Sequence, residues 1–196
     1  MSRKIYTMSE RIQDYRYAAF KDHINPDGSI NWDDVEEDKN TKTSSVDAQT
    51  ASDYHQAFNS AMTNSPYSSF VSSHSPEEIA NMHSVIMSPD KKAGVLIHDH
   101  GDGRMEATGL FNSSPTPGMG SQLMNQAVAG GANYAEAYGP KLPQIYDKLG
   151  FKTVEKYPFD KSLAAPDWDY EKFGTPDYHI MTQGGVPVSS LGKPNA

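Results

Sequence analysis

The stretch Pro117-Gly118-Met119-Gly120-Ser121-Gln122-Leu123-Met124 decides how the rest of this 196-residue chain is read. Ahead of it apolar residues alternate in short runs. Behind it Leu123/Ala127 and Met124/Val128 fall at i, i+4, the spacing of a helix. Gly130-Gly131 then stops that helix. A glycine turn that opens a helix leaves backbone N–H groups unpaired, and the helix dipole adds positive potential. Such a start holds a pyrophosphate without a lysine: Gly118 and Gly120 permit close approach, Met119 offers backbone and Ser121 adds a hydroxyl. The plainer alternative is a mere connection, the commoner fate of a lone glycine turn.

Working upstream, Met82 to Ser88, Ala93 to His98 and Arg104 to Phe111 are short β-rich runs. Turn chemistry at Ser88-Pro89-Asp90 and Gly101-Asp102-Gly103 separates them, so an antiparallel meander is predicted. Before it, Tyr54, Phe58, Ala61 and Met62 form the stripe of a helix capped by Ser44 or Ser45 and ending near Asn64. Tyr67 to Ser72 reads as a short strand, and Ser75-Pro76-Glu77-Glu78 is a capping box that starts a second helix. Downstream come a strand from Asn133 to Tyr138 and a helix carrying Leu142, Ile145, Tyr146 and Leu149, closed by Gly150. Phe151 to Tyr157 and Tyr178 to Thr182 are the last two strands. This order predicts an α+β domain around one mixed, mostly antiparallel sheet flanked by helices.

Apolar residues concentrate between Val46 and about Met181, so one domain is expected over residues 46–183. Residues 1–45 hold a possible helix from Ile5 to Phe20, a turn at Asn25-Pro26-Asp27-Gly28 and the acidic run Asp33, Asp34, Glu36, Glu37, Asp38. Their composition reads as a solvated acidic arm, while Tyr6, Tyr15, Tyr17, Phe20, Ile30 and Trp32 suit an arm that docks on a partner. Residues 184–196 are rich in Gly, Pro and Ser and read as a flexible tail. With 25 acidic against 17 basic residues and no Lys/Arg-rich window, nucleic acid is not an expected partner. The lack of cysteine excludes disulfides, Cys-ligated zinc and a thiol nucleophile. No stretch approaches the ~20 apolar residues of a spanning helix or reads as a signal peptide, so a soluble protein is expected.

About 20 residues past the glycine turn, Leu142-Pro143-Gln144-Ile145-Tyr146-Asp147-Lys148-Leu149-Gly150-Phe151 follows a helix and a strand. Here the chain resembles the GNAT superfamily of N-acetyltransferases, whose members carry a Gly-x-Gly turn, a helix, a strand and a Tyr-x-x-x-Gly-Phe segment. The wider stretch resembles phage and prophage GNAT-like domains through Asn64 to Val71, Met87 to Gly94, Ala165 to Tyr170 and Pro176-Asp177. The resemblance implies a three-layer GNAT-like domain that transfers acetyl directly from acetyl-CoA to an amine of a small molecule or protein. It further implies that the sheet splays so that the backbone of Leu110, Phe111 and Asn112 pairs with the pantetheine arm. Gly118, Met119, Gly120 and Ser121 would hold the pyrophosphate. Tyr146 would protonate the leaving thiolate, for which an ordinary phenol pKa near ~10 is suited. Read from spacing alone, Tyr146 is equally an aromatic on an apolar helix stripe. Glu106 is the candidate general base: it alternates with Thr108 and Leu110 toward the cleft, although a slip of one residue would turn it to solvent. Pro115 departs from the family's usual Arg or Gln, and proline removes one N–H from the loop. The other functional class is a non-catalytic GNAT-fold component of a phage particle, docked through residues 1–45 to other structural proteins. Host cytoplasm or virion is the corresponding location.

His98-Asp99-His100 puts two imidazoles on one strand face, but the sequence offers no third ligand beside them, so no metal is assigned. Gly101-Asp102-Gly103 reads as a hairpin turn, not a calcium loop, and no Gly-x-Ser-x-Gly elbow exists for hydrolase chemistry. Trp168 and Tyr170 are read first as a packed excursion between the last two strands and second as a cation-binding mouth.

Overall fold

The structure is a computed structural model that describes residues 46–63, 65–71, 73–139, 141–164, 166 and 168–192. The expected N-terminal arm, with its helix from Ile5 to Phe20, lies outside these. The chain divides into units Met1–Thr43 and Ser44–Ala196, and the second is described here.

Helix α1 (Ala48–Met62) is started by Asp47, whose carboxylate accepts the Thr50 N–H at 2.9 Å, and not by Ser44 or Ser45. Its inward stripe is Ala51, Tyr54 and Phe58. The expected strand at Tyr67 to Ser72 is instead a single 3₁₀ turn, Ser68–Phe70. Ser65 accepts the Tyr67 N–H at 3.2 Å, a local bond that competes with any ladder, and Phe70 turns into an aromatic cluster. Helix α2 (Pro76–Ala80) carries the full capping box: Glu78 donates its N–H to Ser75 Oγ at 3.2 Å, and the Ser75 N–H returns to the Glu78 carboxylate at 2.7 Å.

The predicted meander is β1 (Ser84–Met87), β2 (Ala93–Asp99) and β3 (Met105–Asn112), paired antiparallel. Helix α3 (Met119–Ala129) crosses to β4 (Tyr134–Tyr138), which pairs parallel with β3. Helix α4 (Lys141–Lys148), β5 (Phe151–Tyr157), the short helix α5 (Tyr170–Phe173) and β6 (Tyr178–Gln183) complete the chain. The sheet order is β1-β2-β3-β4-β6-β5, so the last strand inserts between β4 and β5. The result is the expected α+β architecture: a mixed six-stranded sheet with helices on both faces.

Each face has its own core. Val95, Ile97, Ala107, Ala135 and Met181 pack against Leu123, Met124 and Ala127 of α3 and Tyr146 of α4. Leu96 and Phe111 pack on the other face with Ala51, Tyr54 and Phe58 of α1 and Ile79 of α2. β2 is covered on both sides, and for that reason Ala93 to Ile97 is uninterruptedly apolar and buried.

One irregularity organises the rest. Gly94 pairs with Phe111 but Leu96 pairs with Thr108, so β3 carries one more residue than β2 between those pairs. The bulge falls at Gly109, whose φ of 62° is the left-handed conformation glycine adopts without penalty. The Tyr54 hydroxyl donates to the buried Gly109 carbonyl from α1. Beyond the bulge the faces exchange. Glu106 and Thr108 share the α1 side with His98, whereas Leu110 packs on the α3 side. This corrects the simple alternation of Glu106, Thr108 and Leu110. The parallel ladder ends just before it: Glu106 pairs with Tyr134 and Ala107 with Ala135, and no later residue of β3 pairs with β4. The sheet therefore opens between these strands.

The stretch expected to be a flexible tail makes contacts as far as Gly192. Thr182 Oγ1 donates to the Val186 carbonyl at 2.6 Å, Val188–Ser190 forms a 3₁₀ turn, and Gly192 lies against Gly103. No helix among the described residues is long and apolar enough to cross a membrane.

Replacing Tyr54 by Phe strands a buried carbonyl at the bulge. We expect a loss of about 1–3 kcal/mol, read as a lower urea midpoint at unchanged denaturant slope.

Candidate active site at the opened sheet

The glycine turn is built as its sequence suggests. Gly118, with φ 75° and ψ 3°, is the N-cap of α3 and supplies no capping side chain. Its carbonyl accepts the Gln122 N–H at 3.0 Å, the first bond of the helix, while Met119 donates weakly to Thr116 at 3.4 Å. Nothing lies within 4 Å of where a Cβ on Gly118 would point, so the helix start is open. Asn112, at the end of β3, brings its Nδ2 to 3.7 Å from a Cβ built on Gly120. The end of the open strand and the first turn of α3 therefore adjoin. Within the loop, Asn112 accepts the Ser114 N–H at 3.0 Å and Ser114 Oγ accepts the Thr116 N–H at 3.3 Å. With Pro115 lacking an N–H, the donors that remain for an anion are those of the helix start itself.

On the α1 side of the sheet, polar groups gather where the β3–β4 ladder ends. Glu106 is opposite His98 on β2 and opposite Tyr134 on β4. Its Oε2 is 2.7 Å from His100 Nε2, and its side chain is 14% exposed, so it has not slipped to the solvent side. Tyr134 donates its hydroxyl to Glu136 Oε1 at 2.6 Å. Burial holds the Glu136 carboxyl above the usual carboxylate range, and the nearby Glu106 charge adds to this, against the opposing hydrogen bonds from Tyr134 and Tyr178. Burial and Glu136 together push the Tyr178 phenol up. Sequence reasoning missed Glu136. The signal was present in Tyr134-Ala135-Glu136-Ala137-Tyr138, where two alanines mark the packed face and thereby put the glutamate on the other.

Tyr146 lies elsewhere: its ring is buried in the α3–α4 core, with the Phe151 ring centroid 6.1 Å away. Burial pushes its phenol up to about 12, so it stays protonated. Every buried side-chain polar atom among the described residues has a partner. Tyr146 and Glu106 thus occupy opposite faces of the sheet. Of the expected backbone contacts, Leu110 and Asn112 lie on the part of β3 that β4 leaves unpaired, as does Phe111, whose side chain is buried against Tyr54 and Phe58.

Two further sequence readings resolve. His98 and His100 do share a face, with ring centroids 4.3 Å apart, and the cross-strand pairing brings Glu106, a third group of metal-ligating type, beside them. Trp168 is buried, packing at 4.6 Å on Phe70 and 4.9 Å on Phe159, and donates its indole N–H to the Gly174 carbonyl at 3.0 Å. It is a packed excursion over Tyr138 on the α1 side of the sheet, while Tyr170 stays exposed at its rim. A groove of about 800 Å³ also opens beside α1, lined by Asp53, Ser60, Tyr67, Lys91, Lys92 and Asn112.

An opened mixed sheet, a bare helix start beside the end of β3 and a carboxylate pair on one face define an α+β protein. No family model matches the chain and no curated protein matches its sequence. Among solved structures, Rv2747 from Mycobacterium tuberculosis in complex with CoA and NLQ is similar at 8% identity and TM-score 0.44, over 71% of this chain and 96% of that one. A structure provisionally assigned as a phosphinothricin N-acetyltransferase is similar at 18% identity and TM-score 0.43, over 66% and 92%. The fold and site described above stand on this chain's own geometry.

A carboxyl whose pKa is raised by folding favours the folded state while protonated. That contribution is complete below its unfolded pKa and is lost as pH rises through the folded value. Glu136→Gln, neutral at all pH, should therefore be more stable than the parent at pH 7. The advantage should vanish as pH falls through the ordinary carboxylate range, measured by urea denaturation at a series of pH values.

Proposed function

We propose that the chain is an acetyl-CoA-dependent N-acetyltransferase that passes acetyl directly to an amine. One observation carries this reading: β3 loses its parallel partner after Ala107, and its far end at Asn112 meets the uncapped start of α3. The unpaired edge of β3 offers backbone donors and acceptors to an extended amide-bearing arm. The adjoining helix start offers N–H groups and dipole to the pyrophosphate of the same molecule. Pantetheine followed by a pyrophosphate has this order of groups, and the acetyl thioester would enter the gap toward Ala107.

Chemistry then needs two proton transfers. Glu106, beside the end of the ladder, accepts a proton from the attacking ammonium, and Glu136 lies on the neighbouring strand on the same face. The amine attacks the thioester carbonyl, the C–S bond breaks, and the thiolate takes a proton. Tyr146 remains the candidate donor, since burial keeps its phenol protonated at all working pH.

A second reading keeps the fold and drops the catalysis: a phage structural or ejected protein docked through residues 1–45, favoured by the six large apolar residues Tyr6, Tyr15, Tyr17, Phe20, Ile30 and Trp32 in an otherwise polar arm. Titration with CoA separates the two. At 100 times its dissociation constant the coenzyme should stabilise the protein by about 2.7 kcal/mol, seen as a raised melting temperature, whereas no shift at millimolar CoA sinks the enzyme reading. Gly120→Asp, whose Cβ has room beside Asn112, should abolish the shift by placing a negative charge at the helix start. With a reactive amine in hand, Glu106→Gln should lower kcat/KM by roughly 10²–10⁴-fold, measured as release of free CoA thiol.

A further inference from the structure

His98 on β2 and His100, one residue past its end, are two residues apart, so both imidazoles leave the same side of the chain, and their ring centroids are 4.3 Å apart. Glu106 is the cross-strand partner of His98, and its Oε2 stands 2.7 Å from His100 Nε2. One ligand atom from each of the three lies within 4.8 Å of the other two. Ligands held at ~2.0–2.1 Å around a tetrahedral ion are separated by roughly 3.4 Å, so small side-chain rotations bring the set onto a common centre. Strands carry His98 and Glu106, His100 directly follows β2, and the β2–β3 hairpin is closed at that point by the His100 N–H bond to the Arg104 carbonyl at 3.0 Å. The backbone positions are therefore fixed before any ion arrives.

We propose that His98, His100 and Glu106 form a binding site for a divalent transition metal of the zinc class. Two imidazoles with one carboxylate suit zinc, cobalt, nickel or copper, whereas calcium and magnesium require a cage of oxygens that this face does not provide. The His100 and Glu106 side chains are 21% and 14% exposed, so an ion reaching them keeps an open coordination position toward solvent. Glu136, on the same face one strand away, sets a second carboxylate near the charge. Because the metal takes the carboxylate that acetyl transfer would use as base, the ion inhibits the proposed reaction. That consequence rests on the reading above, and the site itself does not.

The test is metal binding by the full chain after dialysis against chelator. Calorimetry with zinc should give one site per chain, and cobalt should give visible d–d absorption of a tetrahedral centre. His98→Ala and His100→Ala should each weaken zinc by more than the roughly 10–100-fold that an outer-shell change costs, and Glu106→Gln should weaken it and alter the cobalt spectrum. His55→Ala, on α1, should bind as the parent does. If a histidine variant does not fold by circular dichroism, Glu106→Gln and His98→Gln decide instead. Absence of zinc binding, or binding undiminished in these variants, overturns the proposal. Neither outcome depends on acetyl transfer, so the site can fail while the enzyme reading stands, and the reverse.

Discussion

The hydroxyl of Tyr54 on the Gly109 carbonyl is the constraint on which the rest of this structure depends. The bond ties a helix to the single extra residue of β3, and the Tyr54 ring is held in turn by Phe111 at 5.4 Å and Phe58 at 6.3 Å. Because side chains alternate along a strand, one inserted residue exchanges the faces of everything after it. Leu110 thereby joins the α3 core while Phe111 returns to α1. The same irregularity sits where β3 and β4 part company, so the gap in the sheet is stabilised from the core and needs no ligand to hold it apart.

The gap lies between two faces of different character. The α3 side is apolar, with alanines at Ala107, Ala135 and Ala137 that allow the helices to approach closely. The α1 side changes along the sheet from an apolar patch around Leu96 and Phe111 to carboxylates, imidazoles and phenols around Glu106 and Glu136. Burying such groups opposes folding. Here the cost is met locally, since Tyr134 and Tyr178 hydrogen-bond Glu136, His100 pairs with Glu106, and no buried side-chain polar atom among the described residues is left without a partner. A stretch of chain between β5 and β6 then folds back over the same side, with Phe159, Trp168 and Phe173 packed around Phe70 and Tyr138. The polar face is walled on one flank by aromatics and on the other by α1.

A net charge of −8 would ordinarily repel a polyanionic ligand. The helix start escapes this because it attracts an anion through fixed dipoles and unpaired N–H groups, and no acidic residue lies in the first turn of α3. Lys91 and Lys92 rise beside Asn112 on the groove next to it, although Lys91 is already bonded to Asp53 at 2.6 Å. The uncapped helix start and the carboxylates Glu106 and Glu136 are thus separated along β3 by the bulge.

What could be read without a structure were features whose physics is complete within a few residues. The glycine turn before a 3.6-residue period, the Ser75–Glu78 capping box, and the Gly101-Asp102-Gly103 hairpin all express local backbone geometry, and each is present as expected. Where local signals competed, spacing chose wrongly: Asp47 caps α1 in place of the serines, and the Tyr67 to Ser72 run prefers a 3₁₀ turn because serine side chains bond nearby N–H groups. Tertiary structure alone decided the insertion of β6 between β4 and β5, the bulge at Gly109, and the meeting of Glu106 with His98, His100 and Tyr134. These are properties of register between strands distant in sequence. Register depends on which side chains fill the two cores together, and no pattern confined to a single strand carries that information.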